Sequence, residues 1–92
     1  MRISVTITGG LQRYFRQDEL CFEFASDANL GDLFLRLEEE LLPAGNQPYW
    51  NFEKHAFRGP VTVLADGIFL WEPGSALRDG QHLHIKRLIT GG

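Results

Sequence analysis

The residues best suited to chemistry stand at the end of the chain, where Leu88-Ile89-Thr90-Gly91-Gly92 closes a strand-like run on two glycines. At a glycine frequency of about 7% per position, a terminal pair arises by chance in roughly one chain in 200. A backbone without Cβ atoms takes φ of either sign and passes through channels too narrow for side chains. Gly92 can therefore carry its carboxylate into the interior of another protein. Fully extended, the segment reaches on the order of 17 Å, enough to leave one globular body and enter a second. The alternative reading is a frayed terminus, where glycines are common.

Four other groups of residues could bear chemistry. His82 and His84 share a strand face at i, i+2, but no carboxylate or cysteine pattern near them completes a metal set, so they read as exposed strand residues. Cys21 falls on the polar side of an alternating run with no cation or histidine beside it in sequence to lower its pKa. It reads as an ordinary surface thiol. Glu38-Glu39-Glu40 reads as a solvated helix face rather than an acidic docking surface, and Gly9-Gly10 as a plain turn, since it lacks the spacing and lysine of a phosphate loop. There is no nucleophile with an adjacent base and no paired-carboxylate pattern, so no catalytic residue is assigned.

With 92 residues, 43% hydrophobic and 12% aromatic, the chain is long enough for one core and too apolar for a disordered segment. Such a domain buries somewhat over ~60% of the surface its unfolded chain would expose. The single cysteine excludes an internal disulfide, a zinc cage built mainly of cysteines and an all-cysteine iron–sulfur site, and it fits a reducing cytoplasm. Met1-Arg2 leads straight into a strand pattern, with no run apolar enough for a signal peptide or a membrane span, so the expected location is cytoplasmic. A net charge of −3 with no basic cluster beyond Lys86-Arg87 argues against nucleic acid and points to a protein partner.

The elements that must position the tail follow from periodicity. Arg2 to Thr8 alternates Ile3, Val5 and Ile7 against Ser4, Thr6 and Thr8, and Leu20, Phe22 and Phe24 alternate against Cys21 and Glu23, giving a first hairpin across a polar connection. Asn29 with Asp32 three residues on forms a capping box for a helix over Asn29 to Leu42, with Leu30, Leu33, Phe34, Leu37 and Leu41 on one face. Pro43 and Gly45 end it. Ala44 to Pro60 carries Tyr49, Trp50, Phe52 and Phe57 with neither period and reads as a lid over one end of the core, with a partner-binding surface as the alternative. Val61 to Ala65 and Ile68 to Trp71 flank the hairpin turn Asp66-Gly67, and Arg78-Asp79-Gly80 feeds a last strand over Gln81 to Ile89. The order predicts an α+β chain of the β-grasp kind: a mixed sheet of about five strands, one main helix on a single face, and the last strand laid beside the first. Residues 1–87 would be the globular domain and 88–92 a flexible tail.

The pattern resembles the ubiquitin-like sulfur carriers, the family of MoaD and ThiS. The residues that carry the resemblance are the opening strand Arg2 to Thr8, the capped helix Asn29 to Leu42, the strand and turn over Val61 to Ile68, the segment Leu77-Arg78-Asp79-Gly80 and the terminal Thr90-Gly91-Gly92. The long insertion Ala44 to Pro60 is similar to the MoaD branch, whereas Arg87-Leu88-Ile89 stands where that branch often has prolines. The resemblance implies that Gly92 is adenylated by an enzyme of the ubiquitin-activating class (MoeB or ThiF type) using ATP and Mg²⁺, with no cofactor bound by the chain itself. A sulfur donor then converts the adenylate to a thiocarboxylate. In the MoaD case the large subunit of molybdopterin synthase receives the sulfur. Gly91 and Thr90 would thread into the partner, and His84, Lys86, Leu88 and Ile89 would dock on it, with ordinary sheet surface as the alternative for that face. The protein would be a cosubstrate, not a catalyst. Two other readings remain: a protein modifier joined through Gly92 to lysines, and a β-grasp interaction module whose glycines are incidental.

Overall fold

The computed structural model describes residues 1–43 and 47–88. Ile3, Val5 and Ile7 are fully buried along strand β1 (Arg2–Ile7), and Leu20 and Phe22 are buried along β2 (Glu19–Glu23), which pairs with it antiparallel. The connection is less polar than its sequence suggests. Gly10 opens a short 3-10 turn over Leu11–Tyr14, and Leu11 sits fully buried at its start. One apolar residue in a polar stretch produces no period, so its burial is decided by what lies beneath it.

Helix α1 (Leu30–Glu39) begins as expected: Asn29 Oδ1 accepts from the Asp32 amide and Asp32 Oδ2 accepts from the Asn29 amide, each at 2.9 Å. Leu30, Leu33, Phe34 and Leu37 turn inward. The helix stops at Glu39, several residues short of the expected Leu42. Leu41 instead bridges to Phe15, and the Leu42 amide donates to the Tyr14 carbonyl, so backbone partners in the 3-10 turn take the chain out of the helix before Pro43 is reached.

The insertion carries two short strands, β3 (Trp50–Asn51) and β4 (Ala56–Phe57), paired antiparallel. They fold onto the helix as a cap, in agreement with the lid reading. Trp50 is 2% exposed, and its ring meets Phe57 at 4.8 Å and Phe34 at 6.1 Å in edge-on contacts. Strand β5 (Val61–Ala65) turns through Asp66 (φ 52°) and Gly67 (φ 78°) into β6 (Ile68–Leu70). Two successive positive φ values match the twist of the flanking strands, which is why the Asp-Gly pair stands there. Strand β7 (His82–Arg87) runs parallel to β1 and antiparallel to β5, giving the sheet order β2-β1-β7-β5-β6. This is the predicted β-grasp. Leu83 and Ile85 of β7 complete the core beneath α1. No helix among the described residues is long and apolar enough to cross a membrane.

Candidate functional site

Strand β7 occupies the middle of the sheet, hydrogen-bonded on both edges, and its C-terminal end leads directly toward residues 89–92. Ile89, Thr90, Gly91 and Gly92, the residues expected to dock, thread and carry the activated carboxylate, lie outside the described residues. Leu88 does not. Its amide donates to the Pro60 carbonyl, so the body's hydrogen bonding reaches one residue into the segment assigned to the tail.

The alternation that buries Leu83 and Ile85 turns His82, His84 and Lys86 to the sheet face opposite the helix. His84 is half-buried and shares a 2.7 Å hydrogen bond between Nε2 and Thr8 Oγ1. His82 lies between two hydroxyls, with Ser4 Oγ 2.7 Å from Nδ1 and Thr6 Oγ1 2.9 Å from Nε2. Hydroxyls can both donate and accept, so either ring tautomer finds partners here. Both histidines are held by neighbours on the sheet surface. Among the described residues no group of three or more His, Cys, Asp or Glu side chains converges.

Read across the strands, the outer face forms a graded row. Register pairs Glu19 with Thr6, Thr6 with His84, His84 with Leu64 and Leu64 with Phe69, so the face passes from acidic and polar at β2 to apolar at β6. Phe69 and Leu88 are each 53% exposed, and Trp71, just past β6, is 75% exposed. Lys86, opposite Thr62, supplies a cation beside this apolar end. Of the predicted docking residues, the structure thus brings His84, Lys86 and Leu88 to one end of the sheet. It adds Leu64, Phe69 and Trp71, which strand patterning did not mark. The signal was present: Val61 to Leu64 is apolar at Leu64 on the face away from the core, and an aromatic follows the Asp-Gly turn. Phe69, Trp71 and Leu88 are thus large apolar side chains left exposed among the described residues.

The other candidates separate. Cys21 is exposed at the far side of the face, opposite Ser4. Glu38 corrects the solvated-run reading: one carboxylate oxygen accepts from Trp50 Nε1 at 2.8 Å and the other lies 2.9 Å from His55 Nδ1, which anchors the cap to the helix. A depression of about 350 Å³ beside α1 is open, and its lining includes Asn29, Asp32, Lys54 and His55. The first-turn amides there are already engaged, Leu30 by the Ser75 carbonyl, Gly31 by the Pro73 carbonyl and Asp32 by the capping box, so those donors are not vacant for an anion.

No protein-family model matches the sequence, and no curated protein matches it by sequence. Similarity appears in solved structures. SAMP1, the small archaeal modifier protein 1 of Haloferax volcanii, superposes with a TM-score of 0.75 at 18% identity, covering 100% of both chains. Urm1 from Trypanosoma brucei gives a TM-score of 0.71 at 20% identity over 99% of this chain and 95% of that one. A chain of the complex of subunits 1 and 2 of molybdopterin-converting factor from Helicobacter pylori gives 0.62 at 16% identity, covering 100% of both. At these identities the likeness establishes the ubiquitin-like β-grasp fold.

Proposed function

We propose that the chain is a sulfur carrier whose Gly92 carboxylate is activated and recharged by partner enzymes, most closely in the manner of a small subunit of molybdopterin synthase. What supports this reading is the Gly91-Gly92 pair in the sequence together with a central strand, β7, whose last described residues Lys86 and Leu88 lie beside exposed apolar side chains. A carboxylate resists nucleophiles until one oxygen becomes part of a good leaving group. Attack of that oxygen on the α-phosphorus of Mg²⁺-ATP forms an acyl-adenylate and releases pyrophosphate. A sulfur nucleophile then attacks the acyl carbon, AMP departs, and a thiocarboxylate remains. The partner supplies ATP, Mg²⁺ and the catalytic groups. This chain supplies the carboxylate, its delivery, and the docking surface of His84, Lys86 and Leu88 extended by Leu64 and Phe69. The structural likeness to the molybdopterin-converting factor complex supports a larger subunit as the sulfur's recipient.

The likeness to a small archaeal modifier protein favours a second reading, in which a lysine amine attacks the same adenylate-derived acyl group and Gly92 ends in an isopeptide bond. Both use one activated intermediate. Incubation with an adenylating enzyme of the ubiquitin-activating class, ATP and sulfide should raise the intact mass by about 16 Da, one oxygen exchanged for sulfur. Recovery of Gly-Gly remnants on lysines of other proteins would identify the modifier. Unimpaired function in cells after replacing Gly91 and Gly92 by alanine would defeat both readings and leave an interaction module.

A further inference from the structure

The Gly9-Gly10 pair does more than turn the chain. Gly9 (φ 72°) lies so close to β7 that an added Cβ would meet the Arg87 nitrogen at 3.2 Å and the Lys86 Cβ at 3.4 Å. A Cβ on Gly10 (φ 90°) would fall 3.1 Å from Nη2 of Arg87. Both positions take a positive φ that favours glycine, and at Gly9 the neighbouring backbone of Arg87 also leaves little room for a Cβ. Into the opening they leave, Arg87 sends a half-buried guanidinium that donates from Nε to the Gly9 carbonyl at 2.9 Å and from Nη1 to the Tyr49 hydroxyl at 2.8 Å. Its Cζ also stands 5.4 Å from the centre of the Tyr49 ring. Tyr49 is itself braced, edge-on to Tyr14 at 5.7 Å, and its carbonyl accepts from the Arg58 amide. On the other side of the strand end, the Leu88 amide donates to Pro60. The last strand is therefore gripped from both flanks at the point where residues 89–92 begin.

We infer that Gly9, Gly10 and Tyr49 form a socket for Arg87, and that Arg87 is a positioning residue fixing the direction in which the C-terminal segment leaves the body. The inference deepens the proposed function and rests on it for its kinetic consequence. A carboxylate on a slender tether reacts at a rate set by how often it reaches the attacking geometry, and a fixed root removes orientations that would miss the partner's channel. Arginine suits the task because its planar fork places donors on two acceptors in different directions at once, which a lysine ammonium on a flexible stem does not reproduce. The same contact gives the insertion a role beyond covering the core: through Tyr49 it steadies the tail's root.

The test compares Arg87→Met, Arg87→Lys, Tyr49→Phe and Gly10→Ala with the wild-type chain in two assays. In ¹⁵N relaxation, the Leu88 amide of the wild type should show an order parameter near the rigid value of about 0.85, falling toward about 0.6 in Arg87→Met and Gly10→Ala. In adenylation by the activating enzyme, Arg87→Met should lower kcat about tenfold with KM within about twofold, Tyr49→Phe should move the same way by less, and Arg87→Lys should recover only part of the loss. Gly10→Ala lies outside the docking surface, so its parallel effect identifies the socket as the cause. A rise in KM alone would make Arg87 a docking contact and overturn the inference, as would an unchanged Leu88 order parameter in folded Arg87→Met. If the wild type is never adenylated, it is the proposed function that has failed; the relaxation data still decide whether the socket holds the root.

Discussion

The two tryptophans divide the molecule. Trp50 is 2% exposed, enclosed by Phe34 and Phe57 with its indole N–H satisfied by Glu38, whereas Trp71, at the end of β6, is 75% exposed. Each lies in a segment rich in aromatics, yet the first serves the body and the second faces outward. The insertion's aromatics are core that sequence order has displaced into a loop, and those around β6 are surface that a small domain does not need for its own stability. An aromatic residue's neighbours in space, not in sequence, decide which of these roles it takes.

Substitutions can break or sharpen that division. Trp50→Ala should cost about 3–5 kcal/mol, a large share of the stability of a domain this size, and lower the thermal midpoint by well over 10 °C at about 4–8 °C per kcal/mol. A small shift would mean that the cap is decoration. Glu38→Ala strands the Trp50 indole N–H and releases His55, for an expected loss of about 1–3 kcal/mol in denaturant titration. Asn29→Ala removes the helix cap and should cost about 1 kcal/mol, with the loss in amide-exchange protection concentrated in the first turn of α1. Trp71→Ala and Phe69→Ser should change stability by no more than about 0.5 kcal/mol. On the proposed function, the same two variants should weaken capture by an adenylating enzyme of the ubiquitin-activating class, measured by titration. Loss of stability from Trp71→Ala would place both tryptophans in one class and remove the outer face as a docking surface.

Strands β1, β2 and β7 were legible because each buries one face, so Ile3, Val5, Ile7, Leu20, Phe22, Leu83 and Ile85 recur at a period of two. The start of α1 was legible because Asn29 and Asp32 satisfy each other within one turn, a local arrangement needing no tertiary partner. What could not be read rests on distant contacts. The end of α1 is set by Tyr14 and Phe15, the cap's hairpin by Trp50 against Phe57, and Glu38's role by Trp50 and His55, none of which leaves a period. The site divides in the same way. His84, Lys86 and Leu88 follow from the alternation of the last strand, whereas Leu64 and Phe69 join them only through cross-strand register, and Arg87 acquires its socket from Gly9 and Tyr49.

The proposed transfer of sulfur to Gly92 and a reaction at Cys21 leave different marks. After reaction with the activating enzyme, ATP and a sulfur donor, tandem mass spectrometry of the intact chain should place a gain of about 16 Da on the fragment ending in Gly91-Gly92, with Cys21 unmodified. A gain of about 32 Da on the exposed Cys21, the mark of a persulfide formed by exchange with a donor that itself carries sulfane sulfur, with an unaltered C-terminal fragment, would contradict the account.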